Sequence, residues 1–311
     1  MKKINTALGE ILADKLGETL CHEHVSIYNP SFYNAFGEKW FPKEQVIKRA
    51  VELLITAKNE CGLGSIIDGT PIDLGRDAEV IKEVSLKSGV NIILSSGIYA
   101  SEEVFLHGKR AEELASYFIN ECLCGIGSSG IKPAILKCAT GSNGVTEINE
   151  ILLKAMAITQ KETKLPIYCH NEHNVKTPYA QLKIFEKNGV DYEKVIIGHC
   201  SDSRDMVYLE DIAKNGCYLG FDRIYPFAYE KQAQVIAELI AKGYEDKILL
   251  SHDYFAFYDF GDKSFEKQKN SDRDFTTVHK KLLPALKSLG VSERVISKLT
   301  VDNPRKMLVG K

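Results

Sequence analysis

A short apolar run, then a turn, then an amphipathic helical stretch recurs eight times along this chain, and few folds can absorb that repetition. The apolar runs fall at residues 18–26, 65–73, 91–99, 133–140, 166–173, 195–200, 218–224 and 248–254. In the intervening segments, such as 44–54 and 149–156, apolar residues return every three or four positions, as one buried helix face requires. Gly89-Val90, Leu165-Pro166, Gly189-Val190 and Gly216-Cys217 sit where helices should end and the next strands begin. Strands that are apolar throughout are buried on both faces, which points to parallel strands under helices. The expected fold is α/β, a (β/α)8 TIM barrel filling residues 1–311 as one domain. A doubly wound open sheet is the alternative, but no glycine-rich phosphate loop follows the first strand. Residues 4–15 read as a hairpin or cap beneath the barrel, 255–277 as a long aromatic and charged loop, and 293–308 as a closing helix.

A net charge of −2 gives no electrostatic case for nucleic acid or an acidic membrane surface. No apolar stretch is long enough to span a bilayer, and the first residues lack the apolar run of a signal peptide. Eight cysteines without a secretion signal read as reduced thiols, and Cys122 and Cys124 form CxC rather than the CxxC of a structural zinc site. The expected address is cytoplasmic.

Chemistry in such barrels gathers at the C-terminal strand ends. In order, these ends offer His22 and His24, Lys137, His170, His199 and Asp253. On a strand, His22 and His24 share a face while Glu23 opposes them, so two imidazoles can grip one divalent ion. Each residue alone has a plain explanation: a histidine bonded to backbone, a snorkelling lysine, or an aspartate capping the next segment. Together, four imidazoles, a carboxylate and an amine suffice for two metal ions. Burial near cations lowers a lysine's pKa. A neutral Lys137 can add CO2, and the resulting carbamate has two oxygens with which to bridge two metals.

His22-Glu23-His24-Val25, Ile135-Leu136-Lys137, His170, Ile197-Gly198-His199, Leu219-Gly220-Phe221-Asp222-Arg223-Ile224 and Ser251-His252-Asp253 resemble the phosphotriesterase family of the amidohydrolase superfamily. The resemblance extends from about residue 17 to Asp302-Asn303-Pro304-Arg305. It implies that His22, His24 and Asp253 hold a buried metal and His170 and His199 an exposed one. Carboxylated Lys137 and a hydroxide would bridge them. Zinc is the first choice of divalent ion, with manganese, cobalt and iron also suited to these ligands. The resemblance also implies a homodimer.

Within the family, Tyr99 in Ser96-Gly97-Ile98-Tyr99 matches the lactonase-like branch, where a tyrosine faces the metals. Arg223 either orients substrate or pairs with Asp222 or another carboxylate. If the last loop covers the mouth, Arg273 could bind an anionic group in a two-pronged contact, with Tyr28 and Lys242 completing a phosphate pocket. Lys242 also reads as an exposed helix end, and Arg273 as a local salt-bridge partner. The small-molecule substrate expected from the resemblance is a phosphorylated furanose lactone. Hydroxide would attack its carbonyl, Tyr99 would steady the oxyanion, and Asp253 would pass the proton to the departing ring oxygen. A phosphotriesterase or carboxylesterase on the same site is one alternative. A non-catalytic metal- or ligand-binding barrel is the other.

Overall fold

The computed structural model describes residues 2–259 and 272–310. The chain opens with a hairpin, β1 (Lys3–Thr6) against β2 (Gly9–Leu12), antiparallel and tied by the Thr6 hydroxyl donating to the Gly9 carbonyl. There follow β3 (Glu18–Ile27), β4 (Leu63–Asp68), β5 (Asn91–Gly97), β6 (Ile135–Ala139), β7 (Ile167–His170), β8 (Val195–Ile197), β9 (Tyr218–Phe221), β10 (Ile248–Leu250) and β11 (Phe255–Tyr258). Among the described residues these nine form one parallel sheet in the order β10-β9-β8-β7-β6-β5-β4-β3-β11. The strands at its two ends are separated by only four residues. The Asp253 N–H donates to the His22 carbonyl, and the His24 N–H to that of Tyr254. The sheet therefore curls until its last strands meet its first.

Helices α1 (Pro30–Phe36), α2 (Lys43–Cys61), α3 (Ala78–Ser88), α4 (Ala111–Cys124), α5 (Glu147–Thr163), α6 (Thr177–Lys187), α7 (Met206–Lys214) and α8 (Tyr229–Ala241) lie between successive strands, apart from α1, which shares the β3–β4 connection with α2. Their limits follow local chemistry. The Asp77 carboxylate accepts from the N–H groups of Glu79 and Val80 to start α3, and Gly89 at φ 63° ends it.

Two layers of apolar side chains result. Leu20, Ile66, Ile92, Leu136, Ile167, Ile197 and Leu219 pack outward under the helices. Cys21, Ile67, Ile93, Ile135, Tyr168, Ile196, Tyr218 and Leu249 fill the interior, where Ile4, Leu16, Met307 and Leu308 join them. The hairpin expected over residues 4–15 is found as β1 and β2, and the C-terminal helical stretch (Glu293–Ser297, Lys298–Asp302 and Asn303–Val309) packs Met307 and Leu308 onto the same interior cluster. A register shift against β4 between Leu20 and Glu23 bends β3. Cys21 can then face the interior while His22 and His24 converge on the sheet's upper end, because an extra residue resets the alternation.

Several strands are shorter than their apolar runs. The second stops at Asp68, whose carboxylate turns back to accept from the N–H groups of Val25 and Thr70, and residues expected to extend it form a 3-10 turn, Ile72–Leu74. The last run breaks at Asp253, whose φ is 51°, and resumes as β11, which the sequence pattern had placed in a loop. Of that expected 255–277 loop, 260–271 lies outside the described residues.

Candidate metal centre

All six ligand-type residues meet at the C-terminal end of the sheet, His22, His24, Lys137, His170 and His199 at 5% exposure or less. Lys137 reaches the interior because it follows Ile135 by two on β6. Its neighbour across the ladder is Gly97, where a Cβ would fall 1.9 Å from the Lys137 carbonyl oxygen, so only glycine lets the two strands approach. His199 and Asp253 sit in left-handed backbone, at φ 61° and 51°. Histidine and aspartate tolerate this conformation better than most residues, and it turns both side chains off their strand ends.

The imidazoles are aimed by partners on their far nitrogens. His22 Nδ1 lies 2.8 Å from Asp222 Oδ2, His199 Nδ1 3.0 Å from Asp222 Oδ1, and His24 Nδ1 2.8 Å from the Thr70 hydroxyl. The Nε2 atoms are therefore unprotonated where a carboxylate takes the Nδ1 proton, and they face a common space. There His24 Nε2 is 3.2 Å and His22 Nε2 3.8 Å from Asp253 Oδ1. His199 Nε2 lies 2.5 Å from His170 Nδ1, and Lys137 Nζ 2.8 Å from His22 Nε2. Crowded imidazole nitrogens beside a carboxylate form a donor set that fits divalent metal ions. His22, His24 and Asp253 bring one ligand atom each within 4.8 Å of one another. His22, His199 and Asp222 do so as well. In that group, however, Asp222 meets the Nδ1 side of both rings, so it orients ligands rather than joining them.

The charges are set by burial and by one another. Burial, then the Lys137 amine, holds His22 down to about 3, and burial with His199 keeps His170 well below its ordinary value. Burial likewise lowers Lys137. Burial opposes ionisation of Asp222 and Asp253, but the surrounding imidazoles hold both carboxyls well below the usual range, with Arg223 helping at Asp253. The site thus presents two imidazoles that resist charging, His22 and His170, beside an amine biased toward neutrality and two carboxylates.

A cavity of about 440 Å³ opens above it. Tyr99, Arg223, Tyr225, Tyr258 and Arg273 contribute polar groups to its wall, and Ile27, Leu74 and Phe255 apolar ones. The Tyr99 hydroxyl is 3.0 Å from His170 Nε2, and burial raises its pKa, so the phenol keeps its proton. Its backbone N–H donates to Asp73, whose carboxyl burial pushes up to about 6. Arg223 pairs with Asp253 (Nε to Oδ2, 3.0 Å) and with Asp202 (2.8 Å) rather than with Asp222.

Two expected substrate residues are elsewhere. Lys242 ends α8, just before β10, so it lies at the opposite end of the sheet, paired with Glu210 and Glu238. These surroundings are those of an exposed helix end. Tyr28 is buried against Phe41 and Tyr33, with its ring outside the cavity wall. Its position follows a strand that carries it past the mouth into the packing beneath α1. Arg273 does reach the cavity, stretched over the rings of Tyr225 and Tyr254 and donating to the carbonyls of His252 and Asp253.

Sequence reasoning passed over Thr70, Tyr168 and the central role of Asp222. Tyr168 donates to Asp222 Oδ2 at 2.6 Å, and a Cβ at Gly220 would meet its hydroxyl at 2.4 Å. The glycine in Leu219-Gly220-Phe221-Asp222 was the available signal. Asp222→Asn is expected to weaken metal affinity by about 10–100-fold, because an amide cannot accept from both imidazoles. Titration of the metal-free protein with cobalt checks this, and unchanged affinity would deny Asp222 that orienting role.

Comparison with known proteins agrees with this fold. The structure of the phosphotriesterase from Mycobacterium tuberculosis superimposes with a TM-score of 0.92 at 33% identity, covering 99% of this chain and 98% of that one. The aryldialkylphosphatase of Saccharolobus solfataricus is 32% identical, with 94% of each chain covered. The N-acetyltaurine hydrolase of Xenopus tropicalis is 27% identical over 99% of this chain and 98% of the relative. The description "Phosphotriesterase family" matches residues 2–308, nearly the whole length over which strands, helices and clustered imidazoles have been traced. By sequence and by fold, the chain belongs to the phosphotriesterase family.

Proposed function

We propose that this phosphotriesterase-family hydrolase opens lactone rings, and that its substrate carries an anionic group, a phosphorylated sugar lactone being the best fit. Two divalent ions, zinc first, would be held by His22, His24 and Asp253 and by His170 and His199, with carboxylated Lys137 between them. Bound there, the ions supply Lewis acidity toward a carbonyl oxygen and a water made acidic near neutral pH.

The chain's own residues do the rest. Tyr99, protonated and at the cavity wall, donates to the oxyanion that develops on the substrate carbonyl. Asp253, ionised and locked by Arg223, accepts the proton of the attacking water and returns it to the leaving ring oxygen. The observation that carries the anionic specificity is Arg273, which brings a guanidinium to the wall of the same cavity beside Asp253. With Tyr28 and Lys242 elsewhere, the anion site rests on Arg273 alone among the three expected residues. The relative named for N-acetyltaurine hydrolysis supports carbonyl chemistry on an anionic substrate, while the relative named aryldialkylphosphatase supports a neutral phosphotriester as the second reading. Among the described residues no helix is long and apolar enough to cross a membrane.

The test compares a phosphorylated furanose lactone, its unphosphorylated counterpart and a paraoxon-type triester on one metal-loaded sample. The phosphorylated lactone is expected to give the highest kcat/KM. Arg273→Ala should raise its KM by about 10–100-fold, the worth of one charge-assisted hydrogen-bonded contact. Faster turnover of the triester would overturn the lactonase reading, and an Arg273→Ala enzyme of unchanged KM would remove the anion site.

A further inference from the structure

We infer that Glu23, the middle residue of the His-Glu-His stretch, is the positioning residue for Asp253. Its side chain points away from the cavity and is fully buried. Glu23 Oε1 accepts from the Ser251 hydroxyl at 2.8 Å, the His252 N–H at 2.9 Å and His252 Nδ1 at 2.7 Å. Glu23 Oε2 accepts from the Tyr254 N–H at 2.9 Å. The four donors come from the residues on either side of Asp253. One buried carboxylate therefore grips the whole turn that presents it.

The histidine's role is fixed by its other nitrogen. His252 Nε2 accepts from the Val278 N–H at 2.9 Å, which leaves the ring proton on Nδ1 for Glu23. The same turn is joined to the first strand, because Ser251 Oγ accepts from the His22 N–H at 2.8 Å and the Asp253 N–H donates to the His22 carbonyl at 3.1 Å. Asp253 needs such a clamp. Its φ of 51° is a conformation non-glycine residues adopt at a cost, and it persists where the surroundings over-determine it. Because Glu23 lies between His22 and His24, one stretch of β3 both supplies two imidazoles and sets the carboxylate that faces them.

This inference rests on the reading of the site as a metal centre and not on the choice of substrate. Glu23→Gln keeps the size of the side chain but replaces one acceptor oxygen by an NH2 that opposes the donors. With cobalt as the probe, wild type should bind the ion and show its visible absorption bands. Glu23→Gln should bind cobalt with an altered spectrum, and its kcat should fall about 10–100-fold, as loss of a ligand's outer partner does, with KM little changed. Ser251→Ala, which removes one of the four donors to Glu23 together with the acceptor of the His22 N–H, should move spectrum and kcat in the same direction by less, and it serves if Glu23→Gln does not fold. A variant that merely lowers Tm while keeping the wild-type spectrum and kcat overturns the positioning role. A wild-type protein that takes up no cobalt overturns the metal-centre reading, and this inference with it.

Discussion

Asp253→Asn is expected to lower kcat by about 10²–10⁴-fold, the range associated with a lost general acid–base group. Two features make the variant informative. Asparagine is among the few residues comfortable in left-handed backbone, so the φ of 51° at this position does not by itself threaten folding. The amide oxygen can still accept from Arg223 Nε, which now lies 3.0 Å from Asp253 Oδ2. What is lost is the ionised carboxylate that His22, His24, His199 and Arg223 hold far below the usual range. An amide cannot take up the proton that hydrolysis releases. The measurement is steady-state kinetics at saturating metal, with metal content determined on the same sample. Full activity with metal bound would show that the proton travels elsewhere.

Lys137→Met should abolish high-affinity metal binding and cut kcat/KM by about 100-fold or more, at or beyond the upper end of what losing a ligand's outer partner costs. Methionine retains most of the buried stem, so volume is nearly conserved. The amine that now contacts His22 Nε2 at 2.8 Å disappears, together with any carbamate formed on it. One imidazole nitrogen is left without its partner, a penalty of about 1–3 kcal/mol that the fold should survive. The direct readout is carbon-13 NMR of the metal-loaded wild type in labelled bicarbonate. A carbamate resonance present in wild type and absent from Lys137→Met is expected. A Met variant that binds two metals as tightly as wild type would eliminate Lys137 as a ligand.

The outcome for individual residues shows how far pattern alone can reach. His22 and His24 were legible as a pair because strand side chains alternate, and the last helical stretch was legible from its period. Lys137 could be placed on a strand end, but its inward direction depended on Ile135 facing the interior and on Gly97 allowing close approach. Tyr28 and Lys242 stand outside the cavity wall for different reasons: Tyr28 follows its strand at the mouth, but its ring turns into the packing with Tyr33 and Phe41. Lys242 precedes its strand and so lies at the opposite end from the mouth, against Glu210. Glu23 read simply as the residue facing away from two ligands. Its four donors come from Ser251, His252 and Tyr254, more than two hundred positions along the chain.

Local periodicity and side-chain chemistry were enough to read the repeating strand–helix order, the parallel sheet and the ligand-type residues at its ends. It takes the assembled fold to bring Asp222 against His22 and His199, Arg223 against Asp253, Glu23 against the turn that carries Asp253, and Arg273 alone of the expected anion-binding residues to the cavity. Those relations depend on how far the sheet curls before its last strands meet its first. That closure is the sum of twists and register shifts along the whole chain, and no short stretch encodes it.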